Sequence, residues 1–190
     1  MIYATEKVKA FDGDLVYDPN DEILTFIHLT DTHVKGENDD LTLNFENAIE
    51  TVNLIDPDFL FITGDIADAG YNENYQSFIS IINTLNPGIR WYTVLGNHDY
   101  YLTPLGPIDD LEEYNKYIPP NHRLSDRNNW FTETGYRFIG FDSVDVNDET
   151  SVTGMIDSDE LYWFIEDFET IFVTSKYSIA YRYLPLRDTN

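Results

Sequence analysis

The run Leu24-Thr25-Phe26-Ile27-His28-Leu29-Thr30, ending at Asp31-Thr32-His33, decides the fold class. It is short, apolar and rich in β-formers, which marks a buried strand. Two further segments repeat the pattern. Phe59-Leu60-Phe61-Ile62-Thr63 ends at Gly64-Asp65, and Trp91-Tyr92-Thr93-Val94-Leu95 ends at Gly96-Asn97-His98-Asp99. Between the first two, Leu41, Phe45, Ala48, Ile49 and Val52 recur at helical spacing, with Asp40 placed to cap the start. Tyr75, Phe78, Ile79, Ile82 and Leu85 mark a second helix, which Asn86-Pro87-Gly88 stops. Strand, helix, strand, helix, strand implies right-handed βαβ units and an α/β sheet. Ligands of such sheets sit beyond the carboxyl ends of the strands. Asp31, His33, Asp65, Asn97, His98 and Asp99 therefore share one rim.

Downstream, Thr103 to Asn129 holds Pro104, Pro107, Pro119 and Pro120, and reads as a long surface excursion with a short helix around Asp110 to Lys116. Trp130 to Thr134 and Tyr136 to Asp142 form a hairpin around Gly135. Asp157 to Phe168 reads as a helix: Asp157 caps, Glu160 sits three residues on, and Leu161, Phe164, Ile165 and Phe168 share a face. Ile171 to Tyr183 supplies one or two further strands. The chain divides into an N-terminal segment (1–23), a main domain (24–170) and a divergent tail (171–190).

Composition narrows the function. With 35 Asp+Glu against 11 Lys+Arg, the 190-residue chain carries a formal charge of -24. It lacks the basic footprint that phosphate backbones require, so nucleic-acid binding is not expected. Anionic membranes are disfavoured for the same reason. Hydrophobic residues at 42% supply enough apolar surface for a core, which excludes disorder despite the charge. The absence of Cys removes disulfides, thiolate metal sites and a Cys nucleophile. No stretch approaches the roughly 20 apolar residues of a membrane span. Met1 to Ala10 does not read as a signal peptide, so a cytoplasmic location is the default expectation.

The rim residues suit metal chemistry. Asp31 and His33 are two apart at a strand end, so both can reach one ion. Asp65, behind a Gly that permits close backbone approach, can bridge two cations through its two oxygens. Asn97 offers a carbonyl oxygen. Mixed His, carboxylate and amide ligands favour Mn, Fe or Zn over Ca or Mg. Two cations about 4 Å apart would clamp a phosphate and acidify a bridging water. His98 is placed to donate to a phosphoryl oxygen or leaving group, with Asp99 orienting it. Each residue also has a structural reading, since Asp at a strand end often caps the next helix. His28, mid-strand, reads as a packed histidine rather than a ligand. His122, in a Pro-Pro-Asn-His loop, reads as solvated, and the acidic run Asp142 to Glu149 as a solvated loop lacking the Gly of an EF-hand.

Asp31-Thr32-His33, Gly64-Asp65-Ile66-Ala67-Asp68 and Gly96-Asn97-His98-Asp99 resemble, in order and spacing, the D-x-H, G-D-x-x-D and G-N-H-D/E motifs of calcineurin-like metallophosphoesterases. The resemblance covers roughly Leu24 to Phe168. It implies a four-layer αββα sandwich of two mixed sheets with a dinuclear site at the rim. Asp31 and His33 would ligate the first metal, Asp65 would bridge and Asn97 would bind the second. His98 would stabilise the leaving group or a phosphoryl oxygen, with Asp99 behind. The implied function is hydrolysis of phosphate mono- or diesters, and the charge of -24 points to small phosphorylated molecules rather than duplex nucleic acid.

The chain departs from the family's two later motifs, a single His after a strand and a G-H-x-H pair. Its four histidines are 28, 33, 98 and 122, and none follows Phe168. The first metal would lose one ligand and the second two, weakening binding. On this reading the chain is C-terminally truncated or divergent. Three expectations stay open: a working phosphoesterase, a non-catalytic protein of the same fold acting in binding or assembly, and a site completed by a second chain.

Overall fold

The computed structural model describes residues 3–7, 24–102, 106–107, 111–124, 130–133, 136–141, 143–144, 158, 162 and 177–182. The first sheet has the order β1 (Tyr3–Lys7), β2 (Thr25–Thr30), β3 (Phe59–Thr63), β4 (Arg90–Val94). β1 runs antiparallel to β2, while β2, β3 and β4 are parallel, so the sheet is mixed. The parallel connections are the two predicted helices, α1 (Asp40–Ile55) and α2 (Asn72–Ile82). The cap of α1 is Asp39 rather than Asp40: its side chain accepts from the Leu41 amide at 2.9 Å, and Asp40 is the first helical residue. α1 ends at Asp56 in a left-handed conformation (φ 55°), its amide donating to the Val52 carbonyl.

After β4 come a short 3₁₀ turn over Asn97–Tyr100, the small pair β5 (Tyr101–Leu102) and β6 (Gly106–Pro107), and α3 (Glu112–Tyr117). The second sheet has the order β7 (Trp130–Glu133), β8 (Tyr136–Phe141), β9 (Tyr177–Arg182). It too is mixed: β7 and β8 are the expected hairpin, and β9 lies parallel to β8. Of the expected helix from Asp157 to Phe168, Ser158 and Tyr162 are helical and the rest lies outside the described residues, as does the acidic loop from Asp145 to Glu149.

The period-2 alternation of the strands feeds two cores. Ile27, Leu29, Leu60 and Ile62 face the helices and pack with Phe45, Ile49, Val52, Tyr75, Phe78 and Tyr114. Phe26, Phe59, Phe61, Tyr92 and Val94 face the other way and meet Phe138 of β8. This second layer is aromatic: Phe59 stacks on Phe26 (ring centroids 5.4 Å) and meets Phe138 edge-on at 5.0 Å. β8 lies tight against the segment that follows the 3₁₀ turn at Pro120–His122: a Cβ on Gly140 would stand 2.5 Å from the Leu124 carbonyl oxygen, and Leu124 N donates to Thr93 O of β4. Helices, sheet and sheet stack in the α/β sandwich order that the resemblance implies, and the rim lies where β2, β3 and β4 end together.

Candidate metal centre

Thr30, Thr63 and Val94 are register partners, so the three motif loops leave the sheet at one level. The first two loops then continue as a zipped pair. His33 N donates to Asp65 O (2.8 Å), Val34 N to Ile66 O (2.9 Å) and Asp68 N to Val34 O (3.1 Å). Thr32 Oγ1 adds a bond to Ile66 O at 2.9 Å. These bonds hold a backbone that would otherwise relax. Asp31 (φ 53°), His33 (43°) and Asp65 (43°) all lie in the left-handed region, beside Gly64 (70°). A non-glycine residue there costs roughly 1–2 kcal/mol, and such strain gathers at functional sites.

The third loop presses against the second. A Cβ on Gly96 would collide with the amide nitrogen and carboxylate of Asp65, so only glycine fits. His98 N donates to Asp65 Oδ1 at 2.9 Å. Asp99 is fully buried and accepts four bonds: from Ile66 N (3.2 Å) and Gly96 N (2.9 Å) on Oδ2, and from Ala67 N (3.0 Å) and the Tyr75 hydroxyl (2.9 Å) on Oδ1. It ties the second and third loops to α2. Burial, then the neighbouring charge of Asp65, pushes the Asp99 carboxyl up to about 7, against the downward pull of the three amide bonds. Burial and the Asp99 charge push the Tyr75 hydroxyl well above its ordinary value, so it stays a donor.

Above this clamp, His33, Asp65 and His98 bring donor atoms within 4.8 Å of one another, the one such His/Asp/Glu group among the described residues. His33 Nε2 is 3.5 Å from Asp65 Oδ2, and its ring meets that of His98 edge-on with centroids 4.7 Å apart. His98 Nδ1 lies 2.8 Å from the Asp68 backbone oxygen. A carbonyl only accepts, so that nitrogen carries the proton. The partner that orients His98 is thus the Asp68 carbonyl, whereas the sequence pointed to Asp99; the Asp99 carboxylate is turned to backbone amides and Tyr75. Asp68 is also the acid beside His33, with Oδ1 3.4 Å from Nδ1, and its Oδ2 lies 3.4 Å from Lys35 Nζ. The role of Asp68 was invisible in sequence because half of it is exerted through a backbone oxygen.

Asp31 is exposed at the rim, outside the three-residue group, with its Oδ2 accepting from Thr30 Oγ1. Asn97 opens the 3₁₀ turn beside His98 and is half-buried. His28 lies beneath the rim, its Nε2 2.6 Å from Thr63 Oγ1. Burial lowers its pKa, partly offset by the charge of Asp31. His122 is half-buried against β4, stacked on Trp91 at 3.9 Å with Nδ1 donating to the Trp91 oxygen at 2.6 Å.

The donor set fits a divalent cation. His33 Nδ1 is a buried nitrogen with no hydrogen-bond partner in the structure, and His33 Nε2 faces a carboxylate across a gap too wide for a good hydrogen bond. Imidazole and carboxylate meeting on a rigid rim suit Mn, Fe or Zn.

A model of the calcineurin-like phosphoesterases matches residues 24–186, most of the chain and all three motifs. The chain belongs to the calcineurin-like phosphoesterase family. As a member of it, the chain is 36% identical over 98 residues to an uncharacterized metallophosphoesterase of Campylobacter jejuni, a match covering 51% of this chain and 25% of the relative. It is 30% identical over 104 residues to a probable glycerophosphodiester phosphodiesterase of Arcobacter nitrofigilis, covering 50% of this chain and 36% of the relative. The chain thus spans about a quarter to just over a third of the length of these relatives. Its fold matches the crystal structure of a dimetal phosphatase from Danio rerio, with a TM-score of 0.63 at 12% identity, covering 87% of this chain and 71% of that one. The metallophosphoesterase fold implies divalent metal ions at this rim. Among the described residues, no helix is long and apolar enough to cross a membrane.

Proposed function

We propose that the rim is the centre of a phosphoester hydrolase working with two divalent ions, Mn, Fe or Zn, on mono- or diesters of small molecules. The observation that carries this reading is the convergence of His33, Asp65 and His98 from three strand ends onto one strained, tightly bonded rim. Asp31, His33, Asp65 and Asn97 would hold the ions. When bound, these supply positive charge to the phosphoryl oxygens and a hydroxide nucleophile at neutral pH. The charge matters because a chain of net charge -24 otherwise repels a phosphate. With Nδ1–H of His98 held by the Asp68 carbonyl, Nε2 is the nitrogen that exchanges a proton with the leaving oxygen. Asp99 acts by fixing the two loops rather than by touching substrate. The name of the matched probable glycerophosphodiester phosphodiesterase supports a phosphodiester as one substrate to test.

The experiment is Mn-stimulated hydrolysis of an aryl phosphate monoester and a bis-aryl diester by the parent chain and Asp65→Ala. Activity in the parent that Asp65→Ala loses supports the reading; equal rates sink it. A second reading is a fold kept for binding or assembly, and a parent that loads Mn yet hydrolyses neither ester would favour it. A second copy contributing ligands to the rim would instead make specific activity fall on dilution.

A further inference from the structure

We propose that the groove between α1 and α2 is a binding site for a small linear polyamine, held by carboxylates along its walls and by the Ser77 hydroxyl on its floor. The site shares no residue with the rim and does not depend on the metal reading. Its cavity, about 520 Å³, is lined by the loop at 36–38, the first half of α1 and much of α2. That volume falls in the range of small-molecule sites. A smaller cavity of about 290 Å³ shares Glu46, Ser80 and Ile81 with it and carries the groove on to Glu50. At the far end Asn53 Nδ2 donates to Thr84 O at 2.9 Å and joins the two helices.

Two independent observations point to a ligand. The first is Ser77. It lines the cavity and is only 8% exposed, yet its hydroxyl has no hydrogen-bond partner among the described residues. Thr42, which lines the same cavity from α1, is also buried but donates to Gly36 O (3.1 Å) and accepts from Lys35 N (3.0 Å). A buried hydroxyl with no partner costs stability unless the cavity's occupant supplies one. The second observation is charge. Glu37, Glu46 and Glu73 line this cavity, none has an ion-pair or hydrogen-bond partner among the described residues, and no Lys or Arg lines it. Carboxylates and a free hydroxyl all accept, so the ligand brings N–H donors and positive charge.

The acids do not converge on a point. Among the described residues, the group of His, Asp and Glu close enough to share an ion lies at the rim, so a bare divalent cation does not suit the groove. Glu46 and Glu50 stand one turn apart, about 6 Å along the helix axis, and Leu43 and Ile81 add apolar surface to the same lining. Amines joined by short alkyl spacers match that mixture of separated charge and apolar contact. The volume favours such a molecule over a basic peptide, whose stable interface would need about 800 Å² from each partner.

The test is a titration of ¹⁵N-labelled protein with spermidine at about 0.15 M salt, where diffuse attraction to an acidic surface is screened. Saturable shifts are expected at the amides of Thr42 to Glu46 and of Gln76 to Ile81. Ser77→Ala leaves the charge unchanged and should weaken binding about 10-fold, the worth of one hydrogen bond to a charged group. The same variant should raise the urea midpoint, because it removes a buried hydroxyl without a partner and improves helix propensity. Tighter folding with weaker binding is a signature that a merely structural Ser77 would not give. Glu46→Gln should cost up to about 5-fold, while Glu112→Gln, an equal charge change at an exposed position on α3, should cost nothing. Shifts that spread over the acidic surface without saturating, or that centre on the rim, overturn the proposal. So does a Ser77→Ala protein that binds spermidine as tightly as the parent. A groove that responds to oligolysine but not to spermidine overturns the assignment to a small polyamine.

Discussion

The layer between the two sheets and the rim at its edge are built from neighbouring residues of the same strands, yet they are held together differently. Phe26, Phe59, Phe61 and Phe138 are fixed by burial and ring packing, which is non-directional and forgiving of exchange between similar volumes. Just past the ends of β2 and β3, the rim is fixed by directed bonds, left-handed backbone and a close approach that only glycine allows. The interior accepts any large apolar residue of about the right size; the rim demands a particular residue at nearly every position. That contrast explains why the motifs are short, rigid in spacing and set at strand ends.

The sharpest way to break the comparison is to damage each region once. Phe59→Ala should lower stability by roughly 3–5 kcal/mol, as a large buried ring is lost, while Phe59→Leu should cost much less. Neither should change Mn affinity of the molecules that remain folded. Gly96→Ala should cost about 1–3 kcal/mol of stability and, unlike the core variants, abolish Mn uptake because the new Cβ displaces Asp65. Urea melts and metal analysis on the same samples check both. If Gly96→Ala binds Mn normally, the rim is not the tight structure described.

Tyr75→Phe is a smaller cut. It removes one of the four donors to a buried carboxylate and should cost about 1–3 kcal/mol, read as a shift in the urea midpoint with an unchanged slope. The smallest effect belongs to His28. Its pKa is lowered in the fold, so the neutral form contributes stability above the unfolded value near 6.5 that is lost as pH falls through the folded value. Relative to His28→Gln, the parent should lose stability below about pH 6.5, by no more than about 1.4 kcal/mol per pH unit. Parallel pH profiles for the two proteins would contradict the buried placement of His28.

Much of this was legible in the sequence, because buried parallel strands are continuous apolar runs and their polar ends stand out. β3 begins at Phe59 and ends at Thr63, as its run of apolar residues indicates. The α1 cap moved by one residue because Asp39 and Asp40 are equivalent in composition and differ only in dihedral angles. Asp68 stands in the second motif with no role that the sequence assigns, and Tyr75 does not stand out in sequence as part of the site. Tyr75 also reads as an ordinary core position on an amphipathic helix, and only its hydroxyl, reaching Asp99, reveals the second task. His122 reads as solvated in sequence because Pro-Pro-Asn-His has the composition of a loop, and its stacking on Trp91 joins residues 31 apart in the chain.

The central claim is that this rim holds metal. The most direct measurement is elemental analysis of the parent and Asp65→Ala proteins after loading with Mn and desalting. The proposed two-ion reading predicts close to two ions per parent chain, retained through desalting, and a loss of most of that metal in Asp65→Ala. A parent that keeps almost none, or an Asp65→Ala protein that keeps as much as the parent, would contradict it.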